Sequence, residues 1–314
     1  MFSKKHTLMT VLLFLLTAVM SAAPLPKGGS KAAKAAKPPL GGAPAVIWRE
    51  PTDIQSRNLF YGPGGADHQP HGKLSFIEEK FNGVNPKFDV HDEDGTRWGV
   101  KIGNEAKPET AATRLVWAVG YFTNEDYYLP ELNIAGDMNL KRGGALSHRS
   151  KLTDLRLKRH NKGEHQIADW GWDHNPFVGT KELDGLKIMM ELICNVDLKS
   201  ANQHVYDVDG LEQRYVAADL GSSFGMAGKT MFYSKGVLKD YQSKPLIKDA
   251  GPEFIDFWRF KHIPREHAKW IGGYLAQLSD EQIKDAFRAA GFSPREVDGF
   301  AQKVREKINE LTSL

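Results

Sequence analysis

Residues 181–206, KELDGLKIMMELICNVDLKSANQHVY, limit the possible folds more than any other stretch. Leu183, Leu186, Met190 and Ile193 recur at spacings of three and four, with further apolar residues between them. The helix this predicts is buried on most sides, and it needs a sizeable core around it. Directly after Cys194 the pattern breaks. Asp197, Lys199 and Asn202 stand at i, i+2 and i+5, too irregular for one helix face and too polar for a strand. Only an extended loop lets such side chains converge on one point. That loop must hold charge where a buried helix runs out.

The chain can supply the core: of its 314 residues 41% are hydrophobic, and the formal charge is only +3. Apart from a few lysines near the N-terminus no basic block stands out, so nucleic acid is not an expected partner. Lys4 and Lys5, the apolar run from Leu8 to Met20 and the small residues Ser21, Ala22 and Ala23 spell a signal peptide over residues 1–23. The apolar run is short for a membrane span. The mature chain is therefore expected to be secreted or periplasmic, without a stable transmembrane segment. Residues 24–45, rich in Gly, Pro, Ala and Lys, read as a disordered linker. Cys194 is the one cysteine, so no intrachain disulfide can form, and a packed domain must do without staples.

Residues 73–103 read as three antiparallel strands, with a tight hairpin at Asp94-Gly95 and Lys101 on the third. A helix follows, with Pro108 and Glu109 in its first turn and Gly120 at its end. A strand at YYLPELNI comes next, then a polar region containing a strand at LRLKRH. RYVAADLGSSFG is a short strand ending at Asp219. Ser279 with Gln282, and Ser293-Pro294 with Glu296, have the form of capping boxes. Val297, Phe300, Val304, Ile308 and Leu311 stripe the last helix.

Phosphoryl transfer from ATP needs a lysine at the phosphates, a carboxylate to hold it, an aspartate to orient the attacking hydroxyl, and an amide and second aspartate for Mg²⁺. Lys101, Glu109, Asp197, Asn202 and Asp219 offer this set in that order. Here the sequence resembles the protein kinase-like superfamily: DLKSAN is similar to its catalytic loop, DLG to its D-F-G and GVKIG to its V-A-I-K strand. The resemblance implies an α+β, two-lobed protein kinase-like fold. A small antiparallel β-rich N-lobe would span residues 46–135 and a larger helical C-lobe residues 136–314. It implies Asp197 as catalytic base, Lys199 approaching the transferring phosphate, and Asn202 and Asp219 as metal ligands. Lys101 and Glu109 would form the ion pair, and Gly83 would be the one glycine of a reduced phosphate loop, FNGVNPK. Cofactors would be ATP and Mg²⁺, and the acceptor a hydroxyl of a protein or small molecule.

The chain departs from the family's usual pattern. Asn195-Val196 replace His-Arg, Leu220 replaces Phe, and Ala-Pro-Glu is missing. These departures point to an atypical branch, similar to HipA-like, lipid-kinase-like or secreted kinases. Two other functions stay open: a non-catalytic, kinase-like binding protein, and an extracellular glycan-binding protein using Trp170 or Trp172. The run Arg149, Lys151, Arg156, Lys158 and Arg159 reads as a solvated strand face that a phosphate-bearing substrate could also use. His68, His71, Asp169, Asp173 and His174 read as polar loop rather than a zinc site.

Overall fold

The computed structural model describes residues 42–81, 85–133, 140–141, 151–226 and 233–314. The leader, most of the linker and Gly83 lie outside them. The short strand β1 (Ala45–Val46) is followed by β2 (Ser75–Lys80), β3 (Lys87–His91) and β4 (Arg97–Ile102). The turn between β3 and β4 is the expected one: Gly95 has φ 75°, and Asp92 Oδ1 accepts from the Thr96 N–H at 2.8 Å. Helix α1 (Ala106–Ala118) leads to β5 (Asp126–Asn133) and β6 (Lys151–Arg159). These strands form one antiparallel sheet in the order β2-β3-β4-β6-β5.

Strand alternation splits this sheet into two unlike faces. Phe88, Val90, Trp98, Val100, Ile102, Leu155 and Leu157 are buried together on one. Lys87, Asp89, Gly99, Lys101, Arg156 and Lys158, their neighbours along the strands, line a cleft on the other. Helix α1 uses its apolar side, with Ala111, Ala112, Leu115 and Val116, in the main core of the chain. Its first turn carries Glu109 to Lys101 on the charged face of the sheet.

The second sheet has the order β1-β9-β8-β7. It is built from β7 (Glu164–Asp169) and the hairpin β8 (Gln203–Val208) to β9 (Glu212–Ala217), with β1 parallel to β9. Helix α2 (Lys181–Leu192) is the buried helix expected from its sequence, started by Thr180, whose hydroxyl accepts from Leu183 N–H. The rest is α3 (Leu238–Tyr241), a small three-stranded sheet, and α4 (Arg265–Leu275), α5 (Asp280–Ala289) and α6 (Pro294–Thr312). Both capping boxes form, at Ser279–Gln282 and Ser293–Glu296. The stripe on α6 is wholly buried, and each of its large side chains contributes about 1.5–3 kcal/mol of transfer free energy. Among the described residues no helix is long and apolar enough to cross a membrane.

The chain is thus α+β, with a β-rich lobe and a helical lobe, and its first sheet extends beyond residue 135. Strand β6 bonds to β4 and β5, so the sheet expected to close at residue 135 runs on to Arg159. Leu152, Leu155 and Leu157 supply the apolar face that draws it in. Residues 45–57 bond to the end of α1, where Trp48 Nε1 donates to the Val119 carbonyl and Arg57 to that of Trp117, and they also reach the C-terminal helices. Trp48 meets Trp270 and Tyr274 edge-on, at 5.0 and 5.4 Å between ring centroids, and the Gln282 amide bonds to the carbonyls of Ile54 and Arg57.

Candidate active site

Lys101 is 1% exposed and sits between carboxylates from two further elements. Its Nζ lies 2.7 Å from Glu109 Oε2 in the first turn of α1, 3.2 Å from Glu105 Oε2 just before it, and 2.5 Å from Asp219 Oδ1 after β9. An ammonium has three donors, and here all three are used. Burial works against the charge on Lys101, but Glu109, Asp219 and Glu105 outweigh it and hold the group above the ordinary lysine range. Glu109, fully buried, is shared between two cations. Its Oε1 lies 2.9 Å from Nη2 of Arg156, the β6 register partner of Lys101. Glu105 in turn pairs with Lys235.

Asp219 is placed by an unusual backbone. It has φ 49° and ψ 52°, the left-handed region that aspartate tolerates better than most side chains. Leu220 is fully buried. Gly221 is needed because a Cβ there would come within 2.7 Å of Glu105 Cβ. Gly221→Ala is therefore expected to cost about 1–3 kcal/mol, read by urea denaturation, by pushing Glu105 off Lys101. Burial alone would raise the Asp219 carboxyl. The charge and hydrogen bond of Lys101 outweigh it, with help from Lys87, and hold it at about 2. Because that value is depressed, the stability the pair contributes is complete above the ordinary 3.8 and is lost as pH falls through about 2. In an acid titration followed by near-ultraviolet circular dichroism, Asp219→Asn should lose less stability across that window than the parent chain.

The second group of expected residues lies on the loop after α2. Asn195, fully buried, accepts the Asp197 N–H at 2.9 Å on Oδ1. Trp172 Nε1 donates to the Leu198 carbonyl at 3.1 Å, and the Asn202 amide donates to the Asp197 carbonyl at 3.2 Å. The Val196 N–H bonds to the Ser222 carbonyl at 3.2 Å, tying this loop to the segment that carries Asp219. Lys199 Nζ lies 3.0 Å from Asp197 Oδ1, and Lys199 is held above the ordinary lysine range chiefly by its hydrogen bond to Asp197.

Lys101, Glu109 and Asp219 line one cleft of about 840 Å³ together with Ala201. Asp197, Lys199 and Asn202 do not line it; they stand on the loop that bears Ala201. Sequence reading missed Glu105 and Lys235, and it placed Arg156 on a solvated basic strand rather than against Glu109. Glu105 could have been suspected, since it stands four residues after Lys101 and at the start of a helix. Trp170 and Trp172 are buried, so neither presents a ring face to a glycan. His68 and His71 pair with Glu125 and Asp94, and Asp169 with His204.

Carboxylate oxygens of Glu105, Glu109 and Asp219 lie within 4.8 Å of one another, as a metal site would require. The Lys101 ammonium already fills that cluster, so it is a lysine cage. A hard divalent cation is suited instead by the Asp219 carboxylate oxygen that Lys101 does not hold, on a side chain that is one third exposed.

No family model matches the chain, and no curated protein matches it. Among solved structures it is similar to a Helicobacter pylori proinflammatory kinase, CtkA, at 12% identity over 77% of this chain and 97% of that one, with a TM-score of 0.48. It is similar to the golgi casein kinase at 9% identity over 81% and 77%, with a TM-score of 0.32. The amicoumacin kinase hAmiN, in complex with AMP-PNP, Ca²⁺ and Ami, is similar at 10% identity over 76% and 88%, with a TM-score of 0.23.

Proposed function

We propose that this chain is an exported, atypical member of the protein kinase-like superfamily. It would move the γ-phosphoryl group of ATP to a hydroxyl of a protein or small molecule. One observation carries the reading: a buried, charged lysine from mid-sheet is fixed by carboxylates from α1 and from the segment after β9, at the wall of a large cleft. Such a lysine is costly to bury, and an anion arriving beside it makes use of the cost.

The residues then take separate tasks. Lys101 has no spare donor, so a phosphate oxygen must replace one of its three partners. Asp219 is the most exposed of them, and its carboxylate is the one that can turn toward a cation. Asn202 and Asp219 would hold Mg²⁺, which when bound supplies charge neutralisation at the phosphates. Asp197 orients the acceptor hydroxyl and takes its proton as the oxygen bonds to Pγ. The bond from Pγ to the bridging oxygen breaks, and ADP leaves with that electron pair. Lys199, beside Asp197, offsets charge on the phosphoryl oxygens in flight. Export rests on the leader at residues 1–23.

The saturated bonding of Lys101, and the position of Asp197 and Asn202 off the cleft wall, favour a second reading: a kinase-like binder without transfer. Incubation with γ-labelled ATP and Mg²⁺ separates the two. Label on the chain or on an added hydroxyl acceptor, absent in Asp219→Ala, supports the enzyme. Metal-dependent binding of ATP without any label supports the binder, and neither binding nor label rejects both.

A further inference from the structure

The charged face of the first sheet holds more cations than its own acids satisfy. Lys80 and Arg97 both meet Asp89, at 3.5 and 2.5 Å. Lys101 and Arg156 share Glu109, Lys101 also holds Glu105 and Asp219, and Arg156 lies 3.7 Å from Asp126. Lys87 and Lys158 are left over. Both are half-buried, and both line the cleft. The Lys87 side chain makes no hydrogen bond or ion pair among the described residues. Lys158 has only the Tyr206 hydroxyl, at 3.5 Å. Register sets Lys87 opposite Lys101, and Lys158 between Gly99 and Asp126, with which it forms no ion pair among the described residues. His160 closes the group, with Nε2 3.4 Å from the point where a Gly99 Cβ would lie. Burial first, and then a neighbouring cation, push Lys87, Lys158 and His160 each below its ordinary range. Half-buried cations without carboxylate partners are unfavourable unless an anion arrives.

We infer that the roof between Lys87, Lys158 and His160 is a second anion subsite, which takes a phosphate group of the ligand beyond the one nearest Lys101. This rests on reading the cleft as the phosphoryl-transfer site, and it makes the ligands there phosphate-bearing along the length of the sheet. The phosphate could belong to the donor's own polyphosphate or to a phosphorylated acceptor.

Isothermal titration calorimetry tests it with inorganic tripolyphosphate, Mg-ATP, adenosine, and phosphoserine added in the presence of Mg-ADP. Lys87→Met and Lys158→Met are compared with the parent chain and with Lys269→Met, an exposed control. Each cleft variant should weaken tripolyphosphate on the order of tenfold, the worth of one charge-assisted bond, while the control changes nothing. Melting temperatures should hold or rise, because the lysines removed have no carboxylate partner. A parallel loss for Mg-ATP assigns the subsite to the donor; a loss for phosphoserine alone assigns it to the acceptor. Phosphate probes indifferent to both variants, with adenosine binding as well as ATP, would overturn the subsite and leave the kinase reading intact. Lysine-dependent tripolyphosphate binding without any transfer would do the reverse.

Discussion

Lys101→Met should destabilise the chain by about 3–5 kcal/mol and lower any transfer by about 10²–10³-fold. The stability loss follows from what remains. Glu109 is fully buried and keeps only Arg156, while Glu105 and Asp219 keep their charge with the ammonium gone. Breaking one partner out of a buried ionic cluster costs more than the cluster contributes as a whole. Adding Glu109→Gln to the variant should recover part of the stability and none of the rate. Urea denaturation and initial rates read the two effects separately. A single variant less than about 1 kcal/mol below the parent would mean that the cage does not brace α1 against the sheet.

Asp197→Asn should separate rate from stability in the opposite sense. Among the described residues the Asp197 side chain meets only Lys199, which is 74% exposed, so the pair is worth less than about 1 kcal/mol. The anchors of the loop run through the Asp197 backbone to Asn195 and Asn202, and through Leu198 to Trp172; the substitution leaves them in place. Loss of the base should nonetheless cost about 10²–10⁴ in rate. Equal rates for parent and variant, with unchanged melting, would remove Asp197 from the chemistry.

Features written in adjacent residues were legible in the sequence. The Asp94-Gly95 turn fixed the β3–β4 hairpin, both capping boxes fixed helix starts, and the stripe on α6 fixed its buried face. DLKSAN was read as a loop, and it is one, closed by a turn of 3-10 helix at Ser200–Asn202. The pairing of Lys101 with Glu109 was legible because the family resemblance supplied it. What was not legible depends on contacts distant along the chain. Arg156 and Lys158 looked like a solvated strand face, because alternation tells which residues share a face and not what covers it. The leucines between them cover one core, and the cations between the leucines line the cleft. Trp48 could not announce Trp270, because nothing local marks a contact so far along the chain. Lys235 reaches Glu105 across 130 positions, with no local pattern to mark it.

The most direct test uses Mn²⁺ in place of Mg²⁺, followed by electron paramagnetic resonance with a non-hydrolysable ATP analogue. If Asp219 and Asn202 grip a metal-bound triphosphate beside Lys101, the analogue should convert free Mn²⁺ to a bound spectrum, and Asp219→Ala should abolish it. Analogue binding by the parent chain with all Mn²⁺ still free, or a bound spectrum that survives Asp219→Ala, would contradict the site.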